Sequence, residues 1–518
     1  MPDVRLSSPQ GKWILLTTVL GSSMALLDST VVNVALPRIG RDLNVDLAAL
    51  QWTVNAYLVT LAGLILLGGA LGDRYGRRKI FVIGVVWFAS ASLLCGVAPN
   101  AGVLVAARAL QGIGGALLTP GSLALIQASF HPDDRAKAVG LWSGFGGIGA
   151  AVGPFLGGWL VDGPGWRWVF LINVPVALLC APIAVRHVPE SGGREFRPHG
   201  AGAEAGAGTG AGGGGAGTEA EEEEGARGGF DVLGAALGAL ALALVTYALI
   251  EARQGSAVVA VTAVAGVAAA VAFVLVEKHR PDPMMPLDIF ASRQFTVVNL
   301  VTMCVYAAFG GFFFLTALQL QVVSGYSPLK AGTALLPTTV LMLLFSARSG
   351  ALADRIGPRI PLTVGPLLCA AAMLLILRVG KKADYLTDVL PALLVMGAGM
   401  VVLVAPLTAT VLASVDTERA GLASGINNAA ARAAGLIAVA ALPLLAGMGP
   451  DAYRSADAFD AAFRRAMPWC AGVLVLGAVL AFAWVRRPAP DCNVPECRTH
   501  GNITSPPLDT GKRGRDPR

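Results

Sequence analysis

The chain is a succession of apolar runs, each about 20 residues long, broken by short polar segments. That length crosses a hydrocarbon core roughly 30 Å thick when coiled as a helix at 1.5 Å per residue. Runs of this kind lie at 13–36, 51–71, 80–98, 101–127, 138–160 and 166–186, then at 230–250, 257–276, 295–322, 330–352, 360–378, 388–412, 420–447 and 468–486. Backbone groups in lipid must be satisfied within their own segment, so the fold class expected is all-α and integral to a membrane, with fourteen transmembrane helices. Between the sixth and seventh runs lies a stretch from Ser191 to Gly229, rich in Gly and Ala and carrying the acidic run Glu221 to Glu224. Such a composition buries no core and reads as a disordered linker.

One short motif occurs twice. Gly69 to Lys79 reads GALGDRYGRRK, and Gly350 to Arg359 reads GALADRIGPR, with seven of ten aligned positions identical at an offset of 281 residues. So long an offset points to two large halves of one topology, as in transporters built by duplication. The first copy joins helices 2 and 3 and the second joins helices 10 and 11. That is a shift of eight helices where a plain six-plus-six duplication gives six. Two inserted helices account for the difference, and the pair at 230–276 directly follows the linker. The organisation expected is an N-terminal segment 1–12, a six-helix bundle over 13–186, a linker over 187–229, the inserted pair, a second six-helix bundle over 277–487 and a tail over 488–518.

Composition supports a membrane protein: 55% of residues are hydrophobic, 14% are charged and the mean hydropathy is +0.65. The first run passes Asp28 to Pro37 without a small-residue cleavage site, so it is kept as a span rather than a secretory signal. Of the seven cysteines, five fall in separate apolar runs, where a thiol packs as a small hydrophobe. Cys492 and Cys497, with His500 nearby, sit in the polar tail and read as a free tail rather than a metal site. Lys and Arg are more abundant in the loops after even-numbered helices, and the C-terminal tail is basic. Both termini and both repeated loops are therefore expected on the cytoplasmic side.

Two charges stand inside spans. Asp28 lies in helix 1 within LLDSTVVNVALP, and Arg108 lies in helix 4 within LVAARALQGIGGA. Each costs about 2.5 to 3.5 kcal/mol at mid-membrane on insertion scales, so each is expected to face a cavity or a partner. Counted from the outer helix ends, both fall about 10 to 14 Å below the surface and can meet. Such a pair reads either as a proton site, in which burial and an approaching arginine move the acid's affinity in opposite directions, or as a static pair that fixes packing. Arg432, in helix 13 beside Asn427 and Asn428, is a further intramembrane cation whose partner the sequence does not identify. In helix 5, Gly149, Gly153 and Gly157 are four apart and share a helix face, and Pro154 removes a backbone donor. The pattern GxGxxG at Gly144 to Gly149 lies inside an apolar helix rather than after a strand and is discounted as a nucleotide site.

Taken together, LDSTVVNVALP, GALGDRYGRRK, LVAARALQGIGGA, GAAVGPFLGG and WRWVFLINVP occur here in the order found in the major facilitator superfamily. The chain resembles a drug:proton antiporter of the fourteen-helix EmrB/QacA type from Trp13 to Arg487. The resemblance implies a major facilitator fold, two six-helix bundles plus two inserted helices, with proton coupling at Asp28 and Arg108. It places a gating loop at Gly69, Asp73, Arg74, Gly76 and Arg77, with Asp354, Arg355 and Gly357 in the second copy, and an antiporter helix at Gly149, Gly153, Pro154, Gly157 and Gly158. Pro358 replaces a basic residue in the second gating loop, which puts an equal role for that copy in question. Candidate substrate contacts are Asn33, Tyr57, Gln111, Asn427 and Arg432.

The function expected is proton-driven efflux of a small amphipathic drug or antibiotic across a bacterial plasma membrane by a monomer. The proton gradient is the energy source, with no cofactor, no metal and no nucleic-acid partner. No P-loop pattern occurs, which argues against ATP, and no HExxH or GxSxG motif supports an enzyme. The competing readings are an importer or symporter of the same fold and a membrane enzyme or sensor.

Overall fold

A computed structural model describes residues 4–191, 231–281, 283–416, 419–449 and 452–486. The linker after Ser191 and the tail with Cys492, Cys497 and His500 lie outside the described residues. The helices run in order as α1 (Pro9–Asp42), α2 (Leu47–Tyr75), α3 (Arg77–Gly96), α4 (Ala101–Ser129), α5 (Pro132–Asp162) and α6 (Trp168–His187). After them come α7 (Val232–Ile250), α8 (Ala257–His279), α9 (Arg293–Val323), α10 (Leu336–Ile356), α11 (Arg359–Arg378), α12 (Tyr385–Leu412), α13 (Ala420–Leu445) and α14 (Ala456–Trp484). A short helical turn, Pro328–Ala334, leads into α10. Thirteen helices among the described residues are long and apolar enough to cross a membrane, with α10 counted from Pro328. The fourteenth, α5, is 31 residues long.

Polar residues set the helix ends. Ser8 accepts from the Gly11 N–H with Pro9 in the first turn, Asp46 accepts from Ala49, and Asn100 accepts from Val103. The last helix begins at Ala456 rather than near 468, because Ser455 caps it and its charged first turns are amphipathic. Phe459 and Phe463 turn into the core, while Asp460 and Arg464 pair with each other at 2.8 Å on the adjoining face.

α1 to α6 pack as one bundle through the α2–α4, α3–α4 and α1–α5 contacts, and α9 to α14 pack as another through α9–α13, α11–α12 and α11–α14. The inserted helices α7 and α8 pack on each other, and α7 also touches α2 and α13, one helix from each bundle. α8 leaves Val258, Val261, Val264, Val267 and Val271 exposed, an apolar face of the kind lipid solvates.

The bundles are joined at one end. A single hydrophobic core includes Val31, Leu36, Leu50 and Phe170 from the first bundle together with Phe312, Leu320, Leu442 and Phe463 from the second. The core of the other half of the first bundle, built on Ile14, Phe81, Leu125 and Phe130, is a separate cluster drawn from that bundle alone. Interbundle hydrogen bonds gather at the joined end. Gln51 Nε2 donates to the Val439 carbonyl at 2.7 Å and to Ala440 at 3.2 Å, and Gln321 Nε2 donates to Val34 at 3.0 Å. Asp162 Oδ2 accepts from the Leu329 N–H at 2.9 Å, Arg454 reaches Asn44 at 2.8 Å, and the Tyr453 hydroxyl donates to Val45.

Candidate functional site

Asp28 lies near the middle of α1, on the order of 20 Å along the axis from the Asp42 end. Its carboxylate meets α4. Arg108 Nη1 donates to Asp28 Oδ2 at 2.5 Å and to Gln111 Oε1 at 2.7 Å, while Gln111 Nε2 donates to Asp28 Oδ1 at 2.8 Å. Arg108 and Gln111 are three apart, so one helical face presents both donors to one acid. Arg108 Nε donates to the Thr53 carbonyl of α2 at 2.9 Å, and its guanidinium lies 4.4 Å from the centre of the Tyr57 ring. The side chains of Asp28 and Arg108 are at most 1% exposed.

A buried ion pair offsets its desolvation only when the remaining donors and acceptors are also met. Here they are met by a third layer. Gln111 Nε2 also donates to Ser92 Oγ of α3 at 2.9 Å, and Asn173 Nδ2 of α6 donates to the same hydroxyl at 2.9 Å. Five helices therefore hold one carboxylate. Ser92, Asn173 and the Thr53 carbonyl were not among the sequence candidates. Their signal was a small polar residue in an apolar run, which is weak because such residues are common wherever helices pack closely.

Beside this cluster are polar atoms without partners. Asn33 Oδ1, both amide atoms of Asn55 and the Tyr57 hydroxyl are buried and unpaired. In the second bundle, Asn427 Nδ2 donates to Thr302 Oγ1 at 2.8 Å and to Asn299 Oδ1 at 3.1 Å. Arg432, five residues on, has an unpartnered Nε, and its charge acts on Tyr57 of the first bundle and Tyr306 of α9. It faces the seam between the bundles.

α5 is gripped on two faces. A Cβ at Gly149 would touch Ser23, one at Gly153 would run into Thr30 Oγ1, and one at Gly157 would lie 2.8 Å from Val31 Cγ1, all on α1. Gly158 turns to the second bundle, where a Cβ would sit 2.5 Å from the Leu329 Cα, and the Pro154 carbonyl lies where a Cβ on Gly332 would fall. The glycines thus let α5 touch both bundles with its backbone.

The two copies of the repeated loop share a backbone turn. Gly76 has φ +105° and Gly357 has φ +85°, in the region that only glycine enters freely. Arg77 pairs with Asp73 at 2.8 Å, and the loop packs near α4, with Gly69 beside Pro120. The sequence reading missed Glu190. Its carboxylate accepts from the backbone N–H of Arg78 at 2.9 Å and of Lys79 at 3.2 Å, capping α3 from the end of α6. In the second copy Arg355 is exposed, Arg359 Nε donates to the Phe482 carbonyl at 2.7 Å, and the side chain of Asp354 lies outside the described part of the structure.

A family model described as Major Facilitator Superfamily matches residues 18–216 and 218–440. The chain is 36% identical to the puromycin resistance protein of Streptomyces alboniger over 501 residues, covering 92% of this chain and 91% of that protein. It is 34% identical to the tetracenomycin C resistance and export protein of Streptomyces glaucescens, covering 83% and 75% of the two chains. A probable actinorhodin transporter of Streptomyces coelicolor is also 34% identical, over 84% of this chain and 72% of that one. Among solved structures, an inward-facing, unoccupied bacterial homologue of the human lysosomal transporter Spinster superposes with a TM-score of 0.63, covering 93% of this chain and 100% of that one. Its 17% identity speaks to the fold alone. With most of its length matched, and with relatives named for resistance to drugs and antibiotics, this multi-pass membrane protein belongs to the Major Facilitator Superfamily.

Proposed function

We propose that the protein is a secondary active exporter, moving an amphipathic drug or antibiotic out of a bacterial cell in exchange for protons. The observation that carries this reading is the Asp28–Arg108 pair, an acid sealed at mid-helix whose oxygens are both held by donors on α4. A proton on Asp28 removes the charge that holds Arg108, so loading and release of the proton are coupled to movement of α1 against α4. The named activities of the resistance and export relatives support the outward direction.

In this reading both termini and both repeated loops are cytoplasmic, as the Lys and Arg distribution favours. The joined end is then the outer one, and the present state faces inward. Substrate would enter between α1–α6 and α9–α14 and meet Asn33, Tyr57, Asn427 and Arg432. The bundles would then rock about the α5 contact to open outward. One charge across 100 mV is worth about 2.3 kcal/mol, and about 1.4 kcal/mol is tenfold, so one proton sustains roughly a fiftyfold gradient. We take the working unit to be a monomer.

The test is uptake of labelled puromycin and a panel of aromatic antibiotics into everted vesicles under an imposed pH gradient. Wild type should accumulate at least one of them as protons leave, and Asp28→Asn, inserted at normal levels, should not. Equal accumulation by Asp28→Asn would sink proton coupling at this acid. Uptake by right-side-out vesicles instead would make the protein an importer of the same fold.

A further inference from the structure

A pair of acids lies away from Asp28, where the inserted helices begin and end. Asp231 caps α7, its Oδ1 accepting from the Gly234 N–H at 2.7 Å and from Arg280 Nη1 at 2.5 Å. Glu277, on the last turn of α8, accepts from the Met285 N–H through Oε2 at 2.7 Å. Both residues are buried, at 6% and 2% exposure. Their remaining oxygens, Asp231 Oδ2 and Glu277 Oε1, have no donor. Those two oxygens converge on one point, since a Cβ on Gly234 would run into both, and the carboxyls are within hydrogen-bonding reach of each other.

Two carboxylates in contact cannot both stay ionised in a buried site, and one proton between them resolves the conflict. It gives each orphan oxygen a partner, one as donor and one as acceptor. The charges acting on the pair are each other's and that of Arg280. Lys278 and His279 share the last turn of α8, and the imidazole of His279 is placed on its own helix, 2.8 Å from the Leu275 carbonyl. On the helices that pack on α7, the charged residues at the same end are Asp73 and Arg74 of α2 and Arg419 before α13.

We propose that Asp231 and Glu277 form a proton-binding site, with Glu277 Oε1 carrying the proton and donating it to Asp231 Oδ2. The triad with Arg280 is then neutral; loss of the proton to water leaves it at one negative charge, with two bare oxygens facing. Asp231 stands outside the spans. Burial pushes its carboxyl up, but the Gly234 N–H, the Glu277 hydroxyl and Arg280 outweigh that and hold it below the usual carboxylate range, as fits the acceptor of the pair.

The consequence is a clamp. Asp231 starts α7, Glu277 ends α8, and Met285 leads to Ile289, which is buried in the core that joins both bundles. Within the proton's reach are thus the inserted pair and the entry to the second bundle. Alkaline conditions remove the proton and weaken this junction.

The experiment is an infrared pH titration of the full-length protein in lipid nanodiscs, following the carbonyl stretch of protonated carboxyls. In an Asp28→Asn background, which removes the other proposed proton site, this band should lose one carboxyl's worth above the pH range of about 4 where exposed carboxyls ionise, and adding Glu277→Gln should abolish that component. Asp231→Asn, which removes the facing negative charge, should move its midpoint to lower pH. In that background, a component above this range that survives Glu277→Gln, no such component with Glu277 in place, or an unmoved or raised midpoint on adding Asp231→Asn would overturn the proposal.

Discussion

Gly158 on α5 and Leu329 on the turn before α10 meet backbone to backbone, with 2.5 Å between the Leu329 Cα and the place a Cβ would occupy on Gly158. The contact belongs to the joined end and is made across the bundles. Any side chain at 158 therefore opposes this state alone, because a state with the bundles parted there has no Leu329 to meet.

Gly158→Val should cost the closed state about 1 to 3 kcal/mol through overpacking, which shifts the balance toward the opposite state by roughly 5- to 150-fold. A cysteine placed at Val439, buried at the same seam, should then react faster with a membrane-impermeant maleimide. Unchanged labelling would mean that the Gly158 contact is not part of the gate.

Removing Arg108 should leave Asp28 buried and uncompensated. Arg108→Ala should destabilise the protein by about 3 to 5 kcal/mol at neutral pH. Adding Asp28→Asn should recover a good part of that loss, read as melting temperature in nanodiscs. Losses that simply add would show the two residues to be energetically independent.

Gly76→Ala and Gly357→Ala should each cost about 1 to 2 kcal/mol, since both glycines hold left-handed φ. Gly76→Ala should be the more damaging. A Cβ there would also stand 2.8 Å from the Glu190 carboxylate and disturb the cap on α3. Melting temperatures of the two variants compare them directly, and an equal or larger drop for Gly357→Ala would contradict the role assigned to Glu190.

Arg432→Gln should leave stability nearly unchanged, because its Nε has no partner to lose. If the guanidinium binds an acceptor on the substrate, affinity should fall by about tenfold or more, the worth of a hydrogen bond to a charged group. Tryptophan-quenching titrations would read this, with the Asp28–Arg108 pair untouched as an internal control. Wild-type affinity in the variant would take Arg432 out of the substrate contacts.

Much of the fold was legible because lipid forces it into view. An apolar run long enough to span must be a helix, and a duplicated loop at a 281-residue offset implies two like halves, an offset the structure repeats in the turns at Gly76 and Gly357. Asp28 and Arg108 were legible as a pair because a charge in a span demands a partner and helical rise gives its depth. Ser92, Asn173 and Glu190 were not. Which hydroxyl meets Gln111 depends on how α3 and α6 rotate about their axes, and nothing in a run of apolar residues fixes that rotation. The early start of α14 was hidden for another reason, since its first turns mix charged residues with aromatic rings.

Gln51 has a further consequence, which comes from the residue four places beyond the carbonyl it grips. Pro443 has no N–H, so the oxygen of Val439 has no partner of its own within α13, and the Gln51 amide fills that vacancy. When the bundles separate at this end, the oxygen and the amide are stripped of each other at once and both become wettable. An imino acid in one half of the molecule thus makes a socket that the other half plugs, and the rocking proposed above would empty and refill it once per cycle.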